Sequence, residues 1–286
     1  MTKTIFVSGA TGTTGSATVR ALLAKGARVV AGVHSPEKTG EIEALGAAVR
    51  PFDLADLPGM TEAMRGADAL YLVTPVSEHT EVLTKAMLDA AKAAGVSHVV
   101  KLSGLDVDKG SFAFARWHLA AEQAIRASGL DWTFLRPNSF IQNLYGAAHT
   151  IKTQGVYYNT YGSALVSMVD SRDIGDVAAT VLLSDDHKGR IYNLTGPRGV
   201  ANHEVVAFLN EVAGKPVQSV DVGGDQLAQA FIGFGMPDVV AAATAELLGQ
   251  MATGSAGYVS PDIEALLGRA PRDLAQWIRE NAQAFR

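Results

Sequence analysis

The stretch VSGATGTTGSAT, residues 7–18, sets glycine at positions 9, 12 and 15 directly behind the apolar run Thr4-Ile5-Phe6-Val7. The run reads as a short buried strand, and residues 16–23 carry apolar side chains at helical spacing. Strand, glycine turn and helix in that order make a phosphate site. A helix start offers unpaired N–H groups and the positive end of the backbone dipole, and both suit a pyrophosphate. Glycines let the chain turn tightly and let backbone approach a ligand without Cβ contacts. The spacing is G-x-x-G-x-x-G rather than G-x-G-x-x-G, and a turn that only packs helix on strand would use the same residues. The neighbouring elements decide between the two.

Outward from this turn, apolar runs at 28–33, 48–52, 69–73, 98–102 and 132–135 alternate with helical stretches such as 83–94 and 116–127. Such alternation predicts a parallel sheet with helices on both faces, a Rossmann-type doubly wound α/β fold. Past residue 136 the pattern loosens into Tyr157-Tyr158, a strand at 165–169, a helix from Asp173, a strand at 191–194 and then mostly helices, including the apolar 239–248. The expected division is a dinucleotide-binding part, 1–136, and a smaller, mostly helical substrate-binding part, 137–286, of which 165–195 returns to the sheet. In open α/β sheets ligands lie outside the carboxyl ends of the strands, so the candidate site residues belong there.

Composition narrows the function classes. The chain has 286 residues, 48% of them hydrophobic, enough to bury a full core. No apolar run approaches the roughly 20 residues of a membrane-spanning helix. Met1-Thr2-Lys3 leads straight into the first strand, so the cytoplasm is the expected location. The absence of cysteine excludes disulfides, thiolate metal sites and a thiol nucleophile, and a net charge of −5 argues against nucleic acid as a partner. No HExxH or EF-hand spacing occurs, so no metal is expected. A monomer and a homodimer both fit.

The strand ends give the cofactor. Gly9, Thr11, Gly12, Thr13, Thr14 and Gly15 form the phosphate turn. At the end of the second strand an acid would hydrogen-bond the adenosine ribose of NAD and repel the extra phosphate of NADP. AGVHSPEK has none there: His34, Ser35 and Lys38 can each contact a phosphate, so NADPH is preferred and NADH remains possible. Ser35 is equally an N-cap with Pro36 at the first helical position. Asp53 is placed to accept a hydrogen bond from the adenine amino group, or to cap a helix. Leu54 stands beside it, and Thr74 and Pro75 end the fourth strand where the middle of the cofactor passes.

VSGATGTTG, FDLAD, VTP, AAKAAGVSHVVKLSG, WHLAAEQAIRASGLDWTFLRPNSFIQN and YNLTGP together resemble the NmrA-like branch of the atypical short-chain dehydrogenase/reductase family. The similarity is greatest to small bacterial NAD(P)H-dependent quinone, azo-dye and triphenylmethane-dye reductases. It implies that the tyrosine and lysine of catalytic short-chain dehydrogenases fall at Phe114 and His118, four residues before Glu122. The proton-donating phenol is then missing, a loss of typically 10²–10⁴-fold for a ketone. Acceptors that stabilise negative charge themselves, or start cationic, need positioning more than an acid.

The resemblance assigns further roles. Ser103, at the end of the fifth strand, is a candidate to bond substrate or nicotinamide, and His118 to contact the nicotinamide ribose or donate a proton, or to pair with Glu122. Pro137, Asn138 and Phe140 become the nicotinamide wall. Ser103, Asn138, Gln142, Tyr145 and Tyr158 become the pocket for a flat aromatic or electron-poor substrate. The expected activity is NAD(P)H-dependent hydride transfer to an azo, quinone, imine or cationic dye acceptor. The alternative is an NADP-binding redox sensor that reduces nothing, and nucleotide-sugar epimerase or dehydratase chemistry suffers from the same missing tyrosine.

Overall fold

The computed structural model describes residues 2–286. Its strands, in chain order, are β1 (Thr4–Val7), β2 (Arg28–Val33), β3 (Ala48–Pro51), β4 (Ala69–Leu72), β5 (His98–Leu102), β6 (Asp131–Pro137), β7 (Val156–Asn159), β8 (Arg190–Leu194) and β9 (Gln218–Asp221). The helices are α1 (Thr13–Ala24), α2 (Thr39–Glu43), α3 (Leu57–Met64), α4 (Thr80–Ala94), α5 (Ala113–Arg126), α6 (Ala148–Gln154), α7 (Ser171–Leu183), α8 (Asn202–Val212), α9 (Gly224–Gly233), α10 (Asp238–Ala252), α11 (Asp262–Leu267) and α12 (Leu274–Glu280).

Seven strands form one parallel sheet in the order β3-β2-β1-β4-β5-β6-β8, and β7 pairs with β9 in a separate parallel ladder. The expected doubly wound fold is present, with the strand order reversing between β1 and β4 at the phosphate turn. The central strands are apolar on both faces because helices cover both. One core layer joins Val7, Tyr71, Val100 and Leu135 to α1 and α7, and the other joins Phe6, Leu70, Val99 and Phe134 to α3, α4 and α5. A third cluster around Ile151, Val205, Leu209 and Trp277 holds the helical part together.

Small residues let α1 lie close to its neighbours. A Cβ on Gly175 of α7 would come 2.6 Å from the Ala17 backbone of α1, so the two helices meet almost backbone to backbone. Buried Asp173 then accepts from Arg269 and from the Arg272 backbone N–H, each at 2.7 Å, which draws the chain between α11 and α12 onto α7.

Several boundaries differ from expectation. The third and fourth strands end at Pro51 and Leu72, each one residue early, β6 spans Asp131–Pro137, and β8 begins at Arg190. Helices α1, α4, α5 and α7 start two to three residues before their apolar periodicity does, because a first turn needs no apolar face. The predicted strand at 165–169 is absent. Val166 makes one antiparallel bridge to Val200 and Val169 one parallel bridge to Phe140, while the Ser167 N–H donates to Ala256 O at 2.9 Å. From Val166 to Val169 the segment is buried, and it has no continuous ladder to join.

At the amino ends of the strands His98 is 2% exposed, its Nε2 2.9 Å from the Thr133 hydroxyl. Burial, aided by Lys188 and Lys3, pushes its imidazole down to about 4. The unfolded chain therefore binds a proton below about 6.5 that the folded chain refuses until about 4. This part of the stability is complete above the unfolded value and falls as pH falls through that window. Between about pH 7 and pH 5 the unfolding free energy is expected to drop by roughly 2 kcal/mol more than in His98→Asn, measured by urea melts.

Candidate active site

The phosphate turn is built from backbone. Gly9 sits at φ +60°, in the left-handed region that favours glycine, and the Gly12 N–H donates to Gly9 O at 2.9 Å. A Cβ on Gly15 would stand 2.0 Å from Gly9 O, so only glycine lets α1 start this close to the turn. No side chain caps α1 at Gly12, and Gly9, Thr11, Gly12 and Thr13 are exposed while Thr14 and Gly15 are buried. The Ser8 hydroxyl donates toward Tyr71 O and Val73 O, each at 3.0 Å, and accepts from the Val73 N–H at 2.8 Å, fixing the turn against the end of β4. Just beyond, Thr74 Oγ1 is buried without a partner, beside exposed Pro75. Open helix-start N–H groups, a cradle that a Cβ would fill and an orphaned hydroxyl fit a pyrophosphate.

At the end of β2, His34 and Lys38 are exposed and Ser35 is half-buried. A 3₁₀ turn over Pro36–Lys38 is closed by the Lys38 N–H on Ser35 O at 3.0 Å, so Ser35 contributes its carbonyl rather than a hydroxyl cap. Asp53 does not cap α3 either: its Oδ1 accepts from the Ala55 N–H at 2.9 Å, and Asp56 caps the helix from the Gly59 N–H at 3.1 Å. Leu54 packs on the apolar cluster beneath.

A buried polar cluster lies at the end of β5. Glu122 of α5 is 1% exposed. Its Oε1 accepts from the Ser103 hydroxyl at 2.7 Å and Arg136 Nε at 3.0 Å, and its Oε2 accepts from Arg136 Nη2 at 2.7 Å. Ser103 keeps its lone pairs but has committed its proton. Glu122 turns to these groups and not to His118. The His118 ring lies beside Gly104, with Nδ1 buried and unpartnered, and burial together with the Lys101 charge holds its basicity well below the ordinary histidine value. The imidazole is therefore held neutral near pH 7, which weighs against its acting as a cationic proton donor. One turn earlier Phe114 packs on Trp117, ring centroids 5.3 Å apart.

Lys101 is a buried charged residue that the sequence reading passed over. It is 0% exposed, and its Nζ donates to Leu102 O at 3.1 Å. Burial pulls its ammonium down to about 8, opposed by Glu122. The available signal was a lysine inside HVVKL, an otherwise apolar strand.

The residues expected to line the pocket have separate partners. Asn138 is saturated: Nδ2 donates to Ser167 Oγ and Ala256 O at 2.8 and 2.7 Å, and Oδ1 accepts from the Ser139 N–H at 2.8 Å. Gln142 clamps the start of α7 through Asp170 Oδ1 and the Ser171 N–H, both at 3.0 Å. Tyr145 bonds Asn281 at 2.5 Å and meets Trp277 edge-on. Tyr158 lies on β7 and is 43% exposed. Pro137 ends β6, and Phe140 packs on the sheet core. Helix α10 reaches the first turn of α5, where Glu246 accepts from the Ala113 N–H at 2.9 Å. No group of histidines and acids among the described residues can hold a metal ion, and no helix among them is long and apolar enough to cross a membrane.

Residues 9–185 match the family described as NAD(P)H-binding. The chain is 34% identical to the NAD(P)H azoreductase of Xenophilus azovorans, over 98% of this chain and 99% of that protein. It is 35% identical to the (4-alkanoyl-5-oxo-2,5-dihydrofuran-3-yl)methyl phosphate reductase of Streptomyces griseus, over 98% and 99%. The crystal structure of an NADPH-dependent quinone oxidoreductase from Escherichia coli, complexed with NADPH, superposes with a TM-score of 0.86 at 26% identity, over 97% and 99%. The chain belongs to the NAD(P)H-binding family and is an NAD(P)H-dependent oxidoreductase.

The turn geometry separates two substitutions. Gly15→Ala drives a Cβ into Gly9 O and is expected to cost about 3 kcal/mol and abolish NAD(P)H binding. At Gly12 the same atom is 3.3 Å away, so Gly12→Ala should keep the fold while weakening binding. Thermal melts and nicotinamide fluorescence titrations check both.

Proposed function

We propose that this oxidoreductase delivers hydride from NAD(P)H, NADPH preferred, to a quinone, azo, imine or cationic dye whose reduction needs no acidic side chain. The observation that carries the reading is that Phe114 and His118 occupy the positions to which the resemblance assigns the tyrosine and lysine of catalytic short-chain dehydrogenases. The bound cofactor supplies a hydride, a hydrogen with its electron pair, and leaves as the oxidised nicotinamide. The glycine turn from Gly9 to Gly15 and the uncapped first turn of α1 hold the pyrophosphate. His34, Ser35 and Lys38 take the extra phosphate, Asp53 and Leu54 the adenine end, and Thr74 with Pro75 the middle of the cofactor. The Thr74 hydroxyl finds there the partner it lacks.

His118 contacts the nicotinamide ribose as a neutral donor, and Ser103, its proton held by Glu122, offers only lone pairs. Pro137 and Phe140 back the nicotinamide, and the acceptor lies between the end of β5 and the first turn of α5. Asn138 and Gln142 act here by fixing the chain after β6 rather than by touching the acceptor. A reduced quinone is a weakly basic anion that draws its proton from water, while a protonated azo group, an iminium or a cationic dye becomes neutral on receiving the hydride. A simple ketone forms a strongly basic alkoxide in the transition state and finds no acid to meet it.

The names of the relatives, an azoreductase and a quinone oxidoreductase among them, agree with this acceptor class. Anaerobic NADPH oxidation with a quinone, an azo dye, a triphenylmethane dye, a cyclic imine and a simple ketone tests it. Turnover of the first four types without the ketone is the expected outcome. Ketone reduction at comparable kcat/KM would overturn it.

A further inference from the structure

We infer that Lys101 is a positioning residue: it keeps an uncompensated positive charge beneath the hydride-transfer site and thereby favours acceptors that become anions over acceptors that start as cations. The inference rests on the proposed delivery of hydride above the end of β5.

The charge balance of the buried cluster supports it. Among the described residues Glu122 is its one buried carboxylate, and both of its oxygens are taken by Arg136 and Ser103. Asp108 lies 3.5 Å from Arg136, is exposed, and answers that guanidinium from outside. Arg126 approaches Glu122 at 3.8 Å and adds positive charge rather than negative. His118 is neutral. Helix α4, which packs against α5, buries only hydroxyls, Thr80 and Thr84, since Glu81, Lys85, Asp89 and Lys92 are not buried. On β4, Leu72 is the register partner of Lys101, and on β6 it is Phe134, so both flanks are apolar. The ammonium therefore has the Leu102 carbonyl and no carboxylate of its own.

A buried charge without a counter-ion is costly, and this one sits where the proposed reaction moves charge. Hydride delivery makes the acceptor one unit more negative and the nicotinamide one unit more positive. With effective permittivity near 20, a unit charge still acts over ~10 Å with a roughly tenfold effect on an equilibrium or a rate. A neutral acceptor meets little net effect, because the negative charge it gains is offset by the positive charge the adjacent nicotinamide gains. A cationic dye adds a full unit of repulsion on entering the site, so the ammonium disfavours it in kcat/KM, about tenfold against a neutral acceptor. The same charge disfavours the oxidised nicotinamide relative to the reduced one.

Three readouts follow from Lys101→Met, Lys101→Arg and the unmodified protein. Lys101→Met should raise kcat/KM for the cationic dye about tenfold relative to that for a neutral quinone, and Lys101→Arg should keep the unmodified ratio. The ammonium is present below about pH 8 and lost above it, so in the unmodified protein the dye-to-quinone ratio of kcat/KM should climb as pH rises through that value. Lys101→Arg should stay flat across the same range. Independently of any acceptor, NADP should bind more tightly relative to NADPH in Lys101→Met, by about tenfold, in direct titration. An unchanged dye-to-quinone ratio of kcat/KM or an unchanged NADP to NADPH binding ratio in folded Lys101→Met, or a Lys101→Arg that shifts either ratio as Lys101→Met does, would overturn the inference. If the unmodified protein reduces nothing, the proposed function fails while the binding ratio still tests the charge.

Discussion

The contact on which the rest of the structure depends is backbone against backbone: α1 begins where Gly15 meets the Gly9 carbonyl, at a distance no side chain would allow. That approach puts the start of α1 on the switch point between β1 and β4 and leaves its first N–H groups facing out. It also sets how deeply α1 lies on the sheet, and α7 follows, with Gly175 against Ala17. Since Asp173 of α7 holds Arg269 and Arg272, the helical part is referred back to the same turn. Fold and cofactor cradle thus share a single steric condition. At Gly15 the packing and the ligand site make the same demand, whereas at Gly12 the two can be separated.

The second organising group is the Glu122 carboxylate. Buried ion pairs rarely repay their desolvation by Coulomb attraction alone, but removing one partner is severe because the other charge is left in a dry site. Glu122 binds one end of β5 through Ser103 and one end of β6 through Arg136, so α5 cannot slide along the sheet without breaking three hydrogen bonds. His118, one turn earlier on α5, inherits that fixed position. The pairing also decides what the serine can do. A hydroxyl whose proton points at a carboxylate is an acceptor toward anything in the cleft, a constraint absent from the sequence pattern Ser-Gly-Leu.

Legibility in the sequence followed the range of the interactions. The β1 turn, the alternating elements and most strand starts were visible because glycine spacing and apolar periodicity are local signals. The 165–169 segment was misread as a strand because burial, here from Val166 to Val169, produces the same apolar run as a ladder does. Asn138 and Gln142 looked like cleft residues in their motif, yet their partners, Ser167, Ala256, Asp170 and Ser171, come from 28 to 118 positions away. Lys101 was the hardest to see. In HVVKL a lysine reads as a side chain that reaches solvent from a strand end, and only the cover supplied by α5 shows that it does not.

The two ends of the sheet bear opposite kinds of charge, and this explains why function and stability separate along one axis. At the amino ends, Lys3 meets Asp185 at 3.0 Å and Lys188 meets Asp131 at 2.9 Å, so each cation has its carboxylate, in water or close to it. His98 beneath them stays neutral and bonds Thr133. At the carboxyl ends the arrangement is incomplete: an orphan hydroxyl on Thr74, an orphan nitrogen on His118 and a lysine without a counter-ion. Unsatisfied polar groups of this kind are rare in cores because each costs free energy. His98 Nδ1 at the other end is unpartnered too, so what sets the carboxyl ends apart is the proposed ligand, whose pyrophosphate and ribose would meet the Thr74 hydroxyl and the His118 imidazole. An apolar core would have been more stable there. It would have had nothing to offer a hydride in transit.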